Sequence, residues 1–186
     1  MIINHIAILV KDIDETTSML PDYCILQEKE KQPQDGSIEQ YVIFDGPEFP
    51  SLLLIQKTAD GPFNTAINKR GYGLHHFGAA VNNINNYLGK QNYDPRFLLH
   101  PISLKTIKNG YIWLCRPGIP FLIELMERND CENITGKFQI NLPNGTVIPS
   151  NVMHIFQHCS LGNSVDDSIE IQWNDKKIKI FINNTI

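Results

Sequence analysis

The sequence has neither a long apolar run nor an excess of basic residues. No apolar stretch approaches the ~18 residues that a membrane helix needs, so we expect no membrane partner. Lys and Arg total 16 against 20 Asp and Glu, a formal net charge of −4. This balance gives no support for nucleic acid as a partner, and we expect none.

Cysteine is scarce and scattered. Cys24, Cys115, Cys131 and Cys159 form no CxxC pair and no pattern of a small secreted disulfide framework. The segment Met1–Asn4 has no basic region followed by a long apolar stretch, as a signal peptide would. We therefore expect reduced thiols and a cytoplasmic protein.

What the sequence does have is an internal repeat with an offset of 71 residues. Residues 4–10 fall on residues 75–81, and residues 52–56 fall on residues 123–127. A period this long indicates one supersecondary module used twice rather than a solenoid. Each copy is predicted to run strand, helix, strand, strand, strand, which gives an α+β fold of paired βαβββ modules.

The repeat divides the chain into four predicted segments. These are a first module at 1–58, a connector at 59–73, a second module at 74–129 and a C-terminal all-β extension at 130–186. The extension matches neither module and is not a third copy. It is predicted to cap a cleft or to form the contact of a homodimer.

Hydrophobic patterning and turn residues predict the individual elements. In the modules they are strands at 2–10, 23–30, 38–44, 51–56, 74–81, 96–99, 110–115 and 121–128, and helices at 12–20, 63–69 and 84–90. In the extension they are two hairpins, one joining 137–142 to 146–148 and one joining 169–173 to 178–182.

Three residues of metal-ligand type occupy notable places in the repeat. His5 and His76 are equivalent positions in apolar strands, and Glu124 interrupts the last strand of the second module. A buried carboxylate is costly unless it is paired or bound to a cation. Two imidazoles and one carboxylate suit a divalent transition metal. The alternatives are hydrogen-bonded core histidines and a glutamate that faces solvent.

Other polar residues are assigned smaller roles. Strand alternation predicts that His75 points away from His76 and serves in packing or behind the ligands. His154 and His158 are predicted on one strand face, where a span of ~13 Å is too long for a shared metal. Lys105 and Lys108 are predicted to be solvated loop residues, with contact to an anionic substrate as the alternative.

Two segments resemble a known family. Residues 63–77 (FNTAINKRGYGLHHF) are similar to the module junction of methylmalonyl-CoA epimerases, and residues 121–127 (FLIELME) are similar to their final strand. The wider group is the vicinal-oxygen-chelate superfamily of glyoxalases, bleomycin-resistance proteins and dioxygenases. The resemblance covers about residues 2–128. It implies a cupped mixed sheet around a divalent metal held by His5, His76 and Glu124.

The resemblance also implies an activity. An isomerase, epimerase or lyase of this kind binds a small acyl substrate, such as an acyl-CoA, whose adjacent oxygens chelate cobalt, nickel, manganese, zinc or iron. The ion stabilises an enolate while a carboxylate moves the α-proton. Glu39, which follows the Gly36 turn, is the nearest match to the family's catalytic carboxylate, and Glu124 would act through the metal.

One departure from the family leaves the function open. The family takes a fourth ligand, Glu or Gln, from the closing strand of the first module, where this sequence has Leu53; Gln56 is predicted on the opposite face. The remaining two-histidine, one-carboxylate set resembles that of fosfomycin-resistance enzymes and dioxygenases. It leaves two alternatives: an iron(II) dioxygenase-type enzyme, or a non-catalytic small-molecule-binding protein whose metal site is degenerate.

Overall fold

The computed structural model describes residues 2–44, 49–89, 97–128, 136–150, 152, 156 and 158–182. Its strands are β1 (Ile2–Val10), β2 (Ile25–Gln32), β3 (Ser37–Ile43), β4 (Ser51–Lys57), β5 (Gly73–Val81), β6 (Leu98–Leu99), β7 (Tyr111–Cys115), β8 (Leu122–Glu127), β9 (Phe138–Leu142), β10 (Cys159–Asn163), β11 (Ser168–Trp173) and β12 (Lys176–Phe181). Its helices are α1 (Ile13–Ser18), α2 (Pro62–Arg70), α3 (Ile84–Leu88) and α4 (Ser103–Thr106), and a 3-10 helix covers Ile107–Asn109.

The two copies of the repeat form one mixed sheet. Within the described residues it has eight strands in the order β2-β3-β4-β1-β5-β8-β7-β6, so the second copy repeats the order of the first about the centre. β1 and β5 pair antiparallel there, and Ile6 lies opposite its own repeat equivalent, Phe77. This topology confirms the predicted α+β fold of paired βαβββ modules.

The first helix of each copy begins in the same way. Asp12 accepts a hydrogen bond from the backbone N–H of Glu15, and its equivalent Asn83 accepts one from the N–H of Asn86. Side-chain oxygens at this position satisfy N–H groups that have no partner inside the helix. The repeat therefore extends to the capping residues.

A second equivalent pair also serves these helices. Gln56 Oε1 accepts from the N–H of Ile13 at 2.9 Å, and Glu127 Oε2 accepts from the N–H of Ile84 at 3.2 Å. Gln56 therefore faces α1. This agrees with its predicted position on the face opposite Leu53.

Alternation along the central strands divides the core into two faces. Ile6 and Ile8 belong to the larger core, together with residues of α1, α3 and the C-terminal strands. Ala7 and Leu9 belong to a smaller core on the other face, where α2 packs. Since side chains alternate along a strand, His5 shares the face of Ala7 and Leu9.

The C-terminal strands of the described residues form a separate sheet in the order β10-β9-β11-β12. Trp173 lies between Phe44, at 4.5 Å between ring centroids, and Phe49, at 6.0 Å. Phe156 contacts Phe77 at 5.0 Å. These contacts place the extension on the larger core, behind the face that carries His5. Among the described residues, none from the extension belongs to the smaller core on that face. Capping of a cleft and a homodimer contact both stay predictions.

One of the two hairpins predicted in the extension is wrong. β11 and β12 form the second hairpin, but residues 146–148 are not a strand. β9 instead pairs with β10 on one side and with β11 on the other, so both of its edges are occupied. The turn at residues 143–146 is present, because the N–H of Thr146 donates to the carbonyl of Pro143.

Several smaller predictions also change. Residues 103–109, expected as a loop, form α4 and the 3-10 helix, with Lys105 and Lys108 exposed. His158 is an exposed turn residue with φ of 64° before β10, so it lies outside the strand predicted for it. Cys131 and His154 lie outside the described residues. Cys24, Cys115 and Cys159 are free thiols.

Candidate metal centre

A β-bulge precedes each of the two predicted histidine ligands. The pairing of β1 with β5 shifts between Ile3 and His5, which makes Asn4 an extra residue in β1. It shifts again between Ala7, which lies opposite His76, and Ile8, which lies opposite Leu74. This second shift makes His75 an extra residue in β5. Positions 4 and 75 are repeat equivalents, so the two bulges are related by the same symmetry as the modules.

The bulges set His5 and His76 side by side on one face. His5 lies opposite Gly78, and His76 lies opposite Ala7. The Nε2 atoms of the two rings are 3.0 Å apart. Glu124 Oε2, from β8, lies 3.6 Å from His5 Nε2 and 3.7 Å from His76 Nε2. The structure therefore brings the three predicted ligands together.

These separations fit a single divalent ion. Nitrogen and oxygen ligands lie about 2.1 Å from zinc, so two ligands of one ion are at most about 4.2 Å apart. The three distances fall within that limit, and the three residues could hold a metal. Two imidazoles with one carboxylate leave further coordination positions open for substrate or water.

Burial sets the protonation of the ligands. The side chains of His5 and His76 are each about 3% exposed, and burial, with a smaller effect of Arg128, lowers the pKa of His5 to about 4. Burial also holds the pKa of His76 well below its usual value. Although Glu124 is close enough for an ion pair, both imidazoles are neutral at neutral pH. Neutral imidazole is the form that binds metals.

Burial has the opposite effect on the carboxyl group. It raises the pKa of Glu124 to about 7, and the nearby negative charge of Glu39 contributes to the shift. The site therefore combines two neutral imidazoles with a carboxyl group that ionises near neutrality. A bound cation would favour the ionised form.

A glycine makes room for the first histidine. The ring of His5 packs directly over Gly78, and a Cβ at that position would overlap the ring atoms. Gly78 also faces Glu124 across the β5–β8 pair. Gly78 lies two residues after His76 in the sequence, but in space it makes room for the ring of His5.

Leu53 occupies the place that corresponds to Glu124 in the first module. It lies opposite Ala7 in the β1–β4 pair, as Glu124 lies opposite Gly78, the equivalent of Ala7. Leu53 is buried in the smaller core. The position expected to supply a fourth ligand therefore supplies an apolar side chain.

Glu39 and Tyr41 stand two residues apart on β3 and so share a face. The ring of Tyr41 meets that of His5 edge-on, with centroids 6.0 Å apart. Glu39 Oε1 accepts a hydrogen bond from Ser37 Oγ at 3.2 Å, and burial raises the pKa of Glu39 above its usual value. The structure thus brings Glu39 to the face that carries the three candidate ligands.

Two aromatic residues of this face were missed by sequence reasoning. Tyr41 lies two residues after Glu39 in a predicted strand, and this spacing could have placed the two side chains on the same face. Trp113 of β7 lies opposite Glu124, and its ring is 5.0 Å from that of His76. The offset of 71 residues aligns Trp113 with Val42, but strand pairing makes Tyr41 its counterpart, because Tyr41 lies opposite Leu53 as Trp113 lies opposite Glu124. The offset therefore gave no signal for Trp113.

The predicted orientation of His75 is wrong. The extra residue of the bulge interrupts strict alternation, and the rings of His75 and His76 lie 5.1 Å apart with their Nδ1 atoms at 2.8 Å. His75 also meets Phe63 of α2 edge-on at 5.1 Å. It therefore belongs to the metal face rather than to the opposite one.

A cavity of about 260 Å³ lies elsewhere, where the second module meets the extension. Leu9, Arg70 and Asp167 contribute to its lining, and none of the three candidate ligands does. Arg70 donates to the carbonyl of Pro120 there. The cavity therefore lies apart from the three candidate ligands, although Leu9 in its lining shares the strand face of His5.

Fold and site together define a paired-module protein with a candidate two-histidine, one-glutamate centre. Residues 4–90, just under half of the chain, match the family model described as Glyoxalase/Bleomycin resistance protein/Dioxygenase superfamily. No curated protein matches the sequence. The match and the topology confirm the resemblance to this superfamily and the glyoxalase-like fold.

Solved structures with the same fold include two that align over most of their length. A hypothetical protein from Bacillus halodurans C-125 is 19% identical, with a TM-score of 0.53, and the alignment covers 69% of this chain and 94% of that protein. A methylmalonyl-CoA epimerase is 20% identical, with a TM-score of 0.51, and the alignment covers 68% of this chain and 94% of the epimerase.

Among the helices that the structure describes, none has the length and apolar character needed to cross a membrane.

Proposed function

We propose that this protein is a divalent-metal-dependent enzyme that moves an α-proton on a small acyl substrate. The observation that carries the proposal is the convergence of His5 Nε2, His76 Nε2 and Glu124 Oε2 on one face of the central sheet. Cobalt, nickel, manganese, zinc and iron are the ions to test. When bound, such an ion supplies a Lewis acid that withdraws charge from substrate oxygens.

Glu39 is the residue we assign as the base. It lies on the metal face, and burial raises the pKa of its carboxyl group, which strengthens it as a base for carbon acids. In the proposed step the carboxylate of Glu39 takes the α-proton, and the electron pair of the broken C–H bond moves towards the carbonyl oxygen. Return of a proton from Glu39 to the α-carbon re-forms the C–H bond and regenerates the carboxylate of Glu39.

Tyr41 and Trp113 line the face on either side of the candidate ligands. Tyr41 lies beside His5, and Trp113 lies beside His76. In the proposed complex their apolar ring faces would limit the access of water to the α-carbon and so favour a longer-lived enolate. Exclusion of water also strengthens the effect of nearby charges.

An acyl thioester with a second oxygen function is the substrate class we propose. A thioester carbonyl next to a carboxylate presents two oxygens that one ion can bind. One of the structures with the same fold is a methylmalonyl-CoA epimerase, so methylmalonyl-CoA is the first compound to test.

Leu53 favours a second candidate function. With an apolar residue at the equivalent of Glu124, the donor set is two histidines and one carboxylate, the set that iron(II) oxygenases use. The second candidate is therefore an oxygenase that binds iron(II) at His5, His76 and Glu124.

Metal content separates these functions from simple binding. The wild type and the His76→Ala variant are both purified without chelator and analysed for bound metal ions. A stoichiometric divalent ion is expected in the wild type alone. Protein that takes up no divalent ion, even when each candidate ion is supplied, would overturn both enzyme proposals and favour a non-catalytic binding protein.

Two assays then distinguish the enzymes. Deuterium incorporation from D₂O into methylmalonyl-CoA, with no oxygen consumption, supports α-proton transfer. Oxygen consumption that requires iron(II) and a substrate supports the oxygenase instead. Loaded protein that exchanges no α-deuterium in a panel of acyl-CoAs would overturn the first proposal.

A further inference from the structure

Each candidate histidine ligand has a hydrogen-bond partner one residue before it in the chain. His5 Nδ1 lies 3.1 Å from Asn4 Oδ1, and His76 Nδ1 lies 2.8 Å from His75 Nδ1. Asn4 and His75 are the two bulge residues and are repeat equivalents. The same position of the fold therefore contacts the Nδ1 atom of both candidate ligands.

The chemistry of these contacts fixes the proton positions. Asn4 Oδ1 can only accept, so the bond at 3.1 Å requires a proton on His5 Nδ1. With a cation bound at the Nε2 atoms of both rings, the proton of a neutral His76 is on Nδ1, from where it donates to the lone pair of His75 Nδ1. His75 then carries its own proton on Nε2.

We propose that Asn4 and His75 are positioning residues, which accept the Nδ1–H of His5 and His76 and thereby aim both Nε2 lone pairs at one cation. The inference rests on the proposed metal centre. When both Nδ1 atoms carry the protons, the two Nε2 lone pairs lie 3.0 Å apart beside a carboxylate oxygen, and a single cation can bind all three atoms. An acceptor behind each imidazole keeps the ring in the orientation and tautomer that a metal requires.

The surroundings hold the second acceptor in place. The ring of His75 is buried and meets Phe63 edge-on at 5.1 Å and Trp113 at 6.3 Å. These contacts restrict rotation of His75. The bulge is what lets it reach His76, because a regular strand would turn the two side chains to opposite faces.

The repeat supplies matched variants. His75→Asn places at the second bulge the residue that already serves at the first, and so retains an acceptor. His75→Phe keeps a ring of similar shape but has no acceptor. At the first bulge, Asn4→Asp retains an acceptor, and Asn4→Leu keeps the approximate size without one.

Metal affinity is the first readout. Zinc or cobalt affinity is measured by competition with a chromophoric chelator, with circular dichroism to verify the fold. Loss of the acceptor in His75→Phe and Asn4→Leu should weaken affinity about 10- to 100-fold, the usual effect of removing such a partner. His75→Asn and Asn4→Asp should stay within a few-fold of wild type.

Long-range ¹H–¹⁵N spectra of the zinc-loaded wild type are the second readout, which does not depend on any variant folding. The inference predicts a proton on His76 Nδ1, a ¹⁵N–¹⁵N coupling across the hydrogen bond to His75 Nδ1, and a proton on His75 Nε2. A proton on His75 Nδ1 would overturn the inference. It would also be overturned if His75→Phe and Asn4→Leu bound metal as tightly as the wild type. Wild-type protein that binds no ion would instead overturn the proposed function.

Discussion

At the scale of single residues, the site depends on two residues without polar side chains as much as on its ligands. Gly78 gives the ring of His5 the space it occupies, and Leu53 removes a ligand that the symmetry of the repeat would otherwise supply. The polar residues alone do not describe the centre.

Gly78→Ala should displace the His5 ring, because a Cβ there overlaps it. We expect loss of stability of about 1–3 kcal/mol, the usual range for overpacking, and metal affinity reduced at least tenfold. Urea unfolding and chelator competition measure the two effects.

A double-mutant cycle provides the control for this prediction. In a His5→Ala background the clash is gone, so Gly78→Ala should cost much less stability than it does in the wild type. Equal costs in the two backgrounds would show that the His5 ring does not limit the space at Gly78.

Glu39→Gln should abolish α-proton exchange while leaving metal affinity within a few-fold of wild type. The amide cannot accept the proton, and a lost general base typically reduces the rate about 10²–10⁴-fold. Deuterium incorporation into methylmalonyl-CoA is the measurement. Glu28→Gln, at an exposed position of β2, is the matched control and should exchange at the wild-type rate.

At the scale of elements, equivalent residues perform equivalent tasks at the strand and helix ends. Asp12 and Asn83 cap α1 and α3. Gln56 and Glu127 accept from the N–H of the first residue of each of these helices. The bulges at Asn4 and His75 extend this equivalence into the strands. The repeat thus preserves local geometry even where the side chains differ.

Asp12→Ala and Asn83→Ala should each lower the free energy of unfolding by about 1 kcal/mol, the usual cost of losing a capping side chain. Asp14→Ala, in the first turn of the same helix, is the control. Asp14 instead forms an exposed ion pair with Lys29, so its loss should cost about 0–1 kcal/mol. Chemical denaturation of the three variants decides, and a larger cost for Asp14→Ala than for Asp12→Ala would refute this assignment.

At the scale of the whole molecule, the extension stabilises the sheet from behind. Its strands and the outer face of the central sheet share one apolar core, and the metal face lies on the other side. Stability and metal binding should therefore respond separately to changes in the extension.

Trp173→Ala should lower the free energy of unfolding by about 3–5 kcal/mol, because it empties a buried aromatic site between Phe44 and Phe49. Metal affinity measured well below the unfolding transition should stay unchanged. Val165→Ala, at an exposed site in the same extension, is the control and should change neither quantity. Weakened metal binding in folded Trp173→Ala would contradict the separation of the two faces.

Metal-free protein should lose stability as the pH falls from 7 to 5. Burial holds the pKa of His5 at about 4 and that of His75 at about 3, so both stay neutral when folded, whereas unfolded histidine is protonated near pH 6.5. The unfolded chain therefore binds more protons, which costs about 2 kcal/mol per histidine over this interval.

Glu124 opposes this trend. Its pKa of about 7 in the folded chain lies above the unfolded value, so it contributes stability as the pH falls, by a similar amount. Glu39, whose pKa burial also raises, acts in the same direction as Glu124. The three buried histidines, His5, His75 and His76, together outweigh the two carboxyl groups. Urea unfolding of chelator-treated protein at the two pH values is the measurement, and stability that rises on acidification would contradict the prediction.

The sequence alone was sufficient to predict the paired modules and the three candidate ligands. The apolar pattern of each strand and the offset of 71 residues are local properties that survive without knowledge of contacts. A repeated module buries its apolar face against its own copy, so equivalent positions such as His5 and His76 converge at the symmetry axis.

Only the tertiary structure decided the bulges, the partners of β9 and the place of the extension. Strand alternation read from sequence assumes regular pairing, and the extra residue that turns His75 towards His76 appears only when β5 is aligned with β1. The first hairpin failed for a related reason, because distant β10 and β11 compete for the edges of β9. Local sequence specifies what a strand can bury, whereas long-range pairing determines which neighbours and which face it receives.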